Sequence, residues 1–63
     1  MSLADRRRVQ AALGVLGYYD GRVDGQFGAE TRAAIRRFQH EIGAEMTGQL
    51  TSGQASRLVA GRS

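Results

Sequence analysis

The sequence predicts an all-α protein: a compact three-helix bundle with an ordered Gly/Asp-rich loop between helices one and two. Three observations lead there. Apolar residues recur at helical spacing in three separate stretches. The first and third open on a capping-box pattern, and the first two are followed by a glycine suited to stopping a helix. No stretch alternates apolar and polar residues long enough for a strand; Gly21-Arg-Val-Asp-Gly25 is too short to be more than a turn.

Helix one is expected to start at Ser2, which can cap with Asp5 three residues on. Val9, Ala12, Leu13 and Leu16 then form one apolar stripe, and Gly17 ends the helix in the left-handed conformation. Gly14 inside it costs roughly 1 kcal/mol against Ala and marks a candidate close backbone approach.

The following loop alternates glycines and aspartates with bulky residues (Tyr18, Val23, Phe27) that can anchor it, so it reads as an ordered turn rather than a linker. Asp24 is expected to accept backbone N–H bonds within the loop or at the start of helix two. Gly25 and Gly28 are expected to adopt backbone angles closed to other residues. Tyr18 and Tyr19 are adjacent, so one is expected to pack on the core. The other then points outward, either as a ligand platform or as surface packing.

Helix two is expected from Ala29 to Ile42, ending at Gly43. Thr31, Ile35, Phe38 and Ile42 share one face, flanked by Ala34 and Gln39, while Ala33, Arg36, Arg37 and His40 point away. The Thr31 hydroxyl needs a partner on that face, and a bond back into residues 24–28 would supply it. Helix three is short: Thr51 and Gln54 make a second capping box, and Ala55, Leu58 and Val59 form the apolar side.

The chain repeats weakly. Val9-Gln10-x-x-Leu13 matches Phe38-Gln39-x-x-Ile42, and each is followed by Gly, a turn with an isolated apolar residue (Val23, Leu50) and a new helix. Two helix-turn-helix halves would then share helix two. Gln10 and Gln39 fall at equivalent places, where amide bonds to loop carbonyls are expected.

Size and composition bound the rest. The 63 residues show no composition break, so residues 1–63 are read as a single domain. A domain of this size buries only about 60% of the surface its unfolded chain exposes. There is no Cys and a single His, so no disulfide, protein-only metal site or cofactor is predicted. All nine basic residues are Arg and the net charge is +3. They lie in at least three places (Arg6 to Arg8, Arg36 with Arg37, Arg57 with Arg62), which suits a charged surface or an anionic partner. No apolar run approaches the ~20 residues of a membrane span, and no signal-peptide pattern is present. Asp5, Asp20, Asp24, Glu30, Glu41 and Glu45 are scattered, and His40 has no nucleophile beside it, so no catalytic residue is predicted.

A family resemblance is carried by Leu-Gly-Tyr-Tyr at 16–19, Val-Asp-Gly-x-Phe-Gly-x-x-Thr at 23–31 and Phe-Gln at 38–39. At these spacings the segment resembles the central signature of the peptidoglycan-binding-like domain family, a small three-helix module appended to many bacterial cell-wall enzymes. The resemblance runs from about Val9 to Leu58. It implies a non-catalytic module that anchors a parent protein to peptidoglycan through a shallow groove beside the loop between the first two helices. The contacts it implies are Tyr18, Tyr19, Asp20, Arg22, Gln26 and Arg36, against glycan or stem peptide, with guanidinium groups pairing stem-peptide carboxylates. It further implies a monomer joined to a parent enzyme domain, excised here from a larger exported protein. The location would be periplasmic or extracellular, at the cell wall, with neither nucleic acid nor membrane as partner. The alternative is a protein–protein interaction module on the same fold, using an exposed apolar patch at Val15 with an outward Tyr. A nucleic-acid-binding helix-turn-helix would need a turn of three or four residues, where this chain has a long loop. One departure from the family pattern is Ala44 after Gly43, where the family commonly has Leu; Met46 could fill the gap.

Overall fold

The computed structural model describes residues 1–60 as three helices, α1 (Leu3–Val15), α2 (Ala29–Glu41) and α3 (Ser52–Ala60), with no strand among the described residues. Arg62, grouped above with Arg57, lies outside the described residues.

Each helix is delimited as its local chemistry requires. At the start of α1 the Ser2 hydroxyl accepts from the Asp5 N–H at 3.1 Å, and the Asp5 carboxylate accepts from the Ser2 N–H at 3.3 Å. These bonds to Ser2, with the Arg8 guanidinium as a smaller influence, hold the Asp5 carboxyl below its ordinary range. Thr51 and Gln54 repeat the reciprocal bonds at the start of α3, at 3.1 and 3.2 Å. The first two helices stop at glycines with left-handed angles, Gly17 (φ 88°) and Gly43 (φ 72°). Beyond them the Tyr18 N–H returns to the Leu13 carbonyl and the Ala44 N–H to that of Gln39, both at 2.8 Å. Helix α2 thus ends at Glu41, and Ile42 is its C-terminal cap rather than its last residue.

The core is built from Val9, Ala12 and Leu13 of α1, Ala34, Ile35 and Phe38 of α2, and Leu58 of α3. Tyr18, Tyr19, Phe27, Ile42, Leu50, Ala55 and Val59 pack around it. Leu16 does not continue the α1 stripe: it caps the helix, where the chain turns away, and is 55% exposed. Tyr18 covers that end of the core instead, its ring edge-on to Phe38 at a centroid distance of 6.2 Å. Val23 is no anchor either, being 46% exposed. Phe27 does that packing, so its counterpart in the second half is Leu50 and the pairing of Val23 with Leu50 is corrected. Met46 is 48% exposed and fills no gap beside Ala44. Gly25 has the expected left-handed backbone (φ 80°), whereas Gly28 is extended at φ −81° and serves as the N-cap of α2. Gly14 does approach backbone closely: a Cβ there would lie 3.4 Å from the Tyr19 carbonyl oxygen.

Candidate functional site

The surface beside the α1–α2 loop is held in place by buried amides. Gln10, wholly buried, accepts from the Gly25 N–H at 2.7 Å. Its Nε2 donates to the Gln26 carbonyl at 2.9 Å, the Thr31 hydroxyl at 3.1 Å and the Asp24 carboxylate at 3.3 Å. The Thr31 hydroxyl in turn reaches the Gln26 carbonyl at 3.4 Å, as expected of a polar group on the core face. The Asp24 carboxylate also accepts from the Gln26 N–H at 2.9 Å. That backbone bond, more than the Gln10 amide, keeps the Asp24 carboxyl below its ordinary range.

The second half repeats this wiring. Gln39 accepts from the Gly48 N–H at 3.0 Å, and its Nε2 donates to the Gln49 carbonyl at 2.9 Å, Gln54 Oε1 at 3.1 Å and the Thr47 hydroxyl at 3.2 Å. Gly48 has φ 79°, matching Gly25. Two turns of the same design, at 24–26 and 47–49, therefore flank α2.

The residues singled out from the sequence line different parts of this surface. Both tyrosines are half-buried and pack against the core, so neither is the exposed partner of an inward one. The Tyr19 ring lies over Gly21, where a Cβ would meet it at 2.7 Å, and its hydroxyl donates to the Arg22 carbonyl at 2.6 Å. Tyr18 borders a shallow apolar depression with Arg37, His40, Glu41 and Met46. Asp20 and Arg22 are exposed on the loop. Gln26 projects from the first turn and lines a groove with Leu3, Arg6, Gly25, Phe27 and Gly28. Arg36 is half-buried over the second turn, close enough that a Cβ on Gly48 would meet its guanidinium at 2.9 Å.

The structure adds two residues, Arg6 and Arg32. Arg6 donates from Nε to the Gly25 carbonyl at 2.7 Å and from Nη1 to the Met1 carbonyl at 2.8 Å. Arg32 donates from Nη1 to the Phe27 carbonyl at 3.3 Å. With Phe27, Gly48, Gln49 and Leu50 they line a second groove, which shares Arg6 and Phe27 with the first, so the two run together between the turns. Arg32 and Arg36 stand one helical turn apart, a spacing the sequence did display. A larger cleft of about 750 Å³ lies between α1 and α3, bounded among others by Met1, Asp5, Val9, Leu50, Ala55 and Val59, and is lined by no Arg side chain. Among the described residues no cluster of three or more His, Cys, Asp or Glu is placed to hold a metal ion. No described helix is long and apolar enough to cross a membrane.

A family model described as "Putative peptidoglycan binding domain" matches residues 2–58. The chain is similar to the spore cortex-lytic enzyme of Oceanobacillus iheyensis, 45% identical over 51 residues, covering 81% of this chain and 18% of that protein. It is also similar to the spore cortex-lytic enzyme of Halalkalibacterium halodurans, 42% identical over 40 residues, covering 64% of this chain and 12% of that protein. The matched part is thus less than a fifth of either relative. No solved structure gives a significant match.

Proposed function

The chain belongs to the peptidoglycan-binding domain family, and from that premise we propose that it is a non-catalytic module holding a parent protein on bacterial peptidoglycan. The observation that carries the reading is the family match across nearly the whole chain, which includes both buried-amide turns. Support comes from the relatives, which are lytic enzymes of which the matched part is a small fraction. A binding unit of this size would keep a catalytic neighbour close to an insoluble substrate and raise its effective concentration there.

In this reading the module is a monomer and works at the cell wall, periplasmic or extracellular, as part of a larger exported protein. The wall-facing groups are Asp20, Arg22 and Gln26, exposed on the loop, and the half-buried Arg36 over the second turn. Tyr18 and Tyr19 serve mainly as buttresses that fix the loop. The domain should sediment with purified insoluble peptidoglycan and release no soluble fragments from it. Nonspecific attraction of the +3 charge is separated by salt, because the Debye length falls from ~10 Å at 0.1 M to ~3 Å at 1 M. Binding through a shaped surface should partly survive at the higher concentration.

A second reading has its own observation. Val15 and Leu16 are 70% and 55% exposed side by side at the end of α1, an apolar pair that suits a protein partner. Loss of all wall binding at moderate salt, or equal competition by DNA, would move the assignment to that interaction module.

A further inference from the structure

We propose that the groove between the two turns is a carboxylate-binding subsite, in which Arg6 and Arg32 grip a free carboxylate of a peptidoglycan stem peptide. The inference rests on the wall-binding reading above and specifies which part of the wall is recognised and where.

Arg6 comes from α1 and Arg32 from α2, yet both line one groove with Phe27, Gly48, Gln49 and Leu50. Each guanidinium is already oriented by a main-chain carbonyl: Arg6 by Gly25 at 2.7 Å, Arg32 by Phe27 at 3.3 Å. Those bonds engage Nε and Nη1 of Arg6 and Nη1 of Arg32. A guanidinium has five N–H donors, so both keep donors for a ligand without giving up their orientation. Fixed planar forks match a carboxylate better than flexible ammonium groups would.

The groove also has no acid to neutralise them. Among the described residues the single ion pair is Arg8 with Asp5, at 3.1 Å on the outer side of α1. Arg36, over Gly48, adds a third cation at the edge. Neutral sugar hydroxyls would leave these charges unanswered, whereas a stem-peptide carboxylate answers them. The half-buried Phe27 and Leu50 give the small apolar side chains of such a peptide a surface to lie on.

The test uses the whole chain and peptidoglycan freed of phosphate-bearing polymers, either intact or with its free carboxylates converted to neutral amides by carbodiimide coupling to ammonia. Arg32→Gln is paired with Arg7→Gln, which removes the same charge from an exposed position on α1 outside the groove. Equal melting temperatures would establish that both variants are folded. Arg32→Gln should weaken sedimentation with intact peptidoglycan about tenfold, the scale of one charge-assisted hydrogen-bonding pair. Arg7→Gln should leave it within about twofold, as expected of a screened surface charge. Amidating the carboxylates should reduce wild-type binding to the level of Arg32→Gln. Equal losses in the two variants, or undiminished wild-type binding to the amidated wall, would overturn the subsite while leaving the wall-binding reading intact. Binding only before the phosphate polymers are removed would transfer the site to a phosphate ligand and overturn it too. If the wild type sediments with no form of peptidoglycan, both readings fall together.

Discussion

The two turns share one hydrogen-bond plan but differ in what surrounds it. In the first, Asp24 supplies a charged acceptor, Thr31 closes the network from inside the core, and the N-cap Gly28 has no side chain to help. In the second, the neutral Thr47 hydroxyl takes the place of Asp24. Gln54 takes the place of Thr31 and also accepts from the Thr51 N–H, joining the network to a helix cap. The first turn is wired inward and carries a charge; the second is wired to a helix end and carries none. The helices they launch follow suit: α2 contributes Thr31, Ala34, Ile35, Phe38 and Gln39 to the buried set, α3 contributes Leu58. A buried glutamine holds a buried glycine N–H in either setting, but only the first network takes in a hydroxyl from the core face of α2.

Removing what both halves share should cost the most. Phe38 is 4% exposed and packs edge-on against Tyr18. Phe38→Ala should cost about 3–5 kcal/mol, the usual range for a core phenylalanine, and a domain this small has little more than that to lose. A melting curve should show both halves lost together; a midpoint within a few degrees of the parent's would remove Phe38 from the core.

The two buried glutamines should differ in what their loss costs. Gln10→Ala strands the buried Gly25 N–H and leaves the Thr31 hydroxyl, which is 1% exposed, with only its 3.4 Å bond to the Gln26 carbonyl. It should cost about 3 kcal/mol, since buried groups left unpaired lose their full desolvation penalty. Gln39→Ala strands the buried Gly48 N–H in the same way but should cost less, about 2 kcal/mol, because Gln54 is half-buried and Thr47 exposed, so both can turn to water. Chemical denaturation of the two variants measures the gap, and an equal or reversed order would mean the second turn is at least as sealed as the first.

The smallest effect concerns acid. The Asp24 carboxyl is held below its ordinary range in the folded state, chiefly by the Gln26 N–H. A depressed folded pKa contributes stability above the unfolded value and loses it as pH falls through the folded one. The first turn should therefore weaken below about pH 4, and the second, built on Thr47, Gln49 and Gln54, should not. Asp5 is depressed as well and adds its own acid loss at α1. Asp24→Asn isolates the turn: it should lower stability slightly at neutral pH and flatten, without abolishing, the acid limb of the stability profile. An unchanged acid limb would place the titration elsewhere.

Much of the fold was legible because it depends on local chemistry. The pairs Ser2–Asp5 and Thr51–Gln54, the stops at Gly17 and Gly43, and the roles of Gln10, Asp24, Thr31 and Gln39 follow from residue type and spacing. Legibility failed where periodicity ends. Leu16 keeps the helical spacing but sits where the helix has stopped. Val23 and Phe27 both interrupt a polar loop, and no period says which of them turns inward. The tyrosines are both half-buried because the left-handed turn at Gly17 redirects the chain before them. The site was less legible. Gln26 and Arg36 do sit at the two turns, but Arg6 and Arg32 gain their interest only from what the loop sets beside them, the carbonyls of Gly25 and Phe27.

The wiring of the turns has a consequence for how recognition could diversify. Gln26 takes part in the first network through its N–H and carbonyl, and Gln49 in the second through the same two groups. Neither side chain is committed. Both are exposed and project from a frame that is already rigid, so a ligand need not order it on arrival. The side chains at 26 and 49 can be exchanged without rewriting the fold. A scaffold of this kind separates the grammar of the loop from its vocabulary: ligand preference can drift at two positions while the buried amides keep the surface in place.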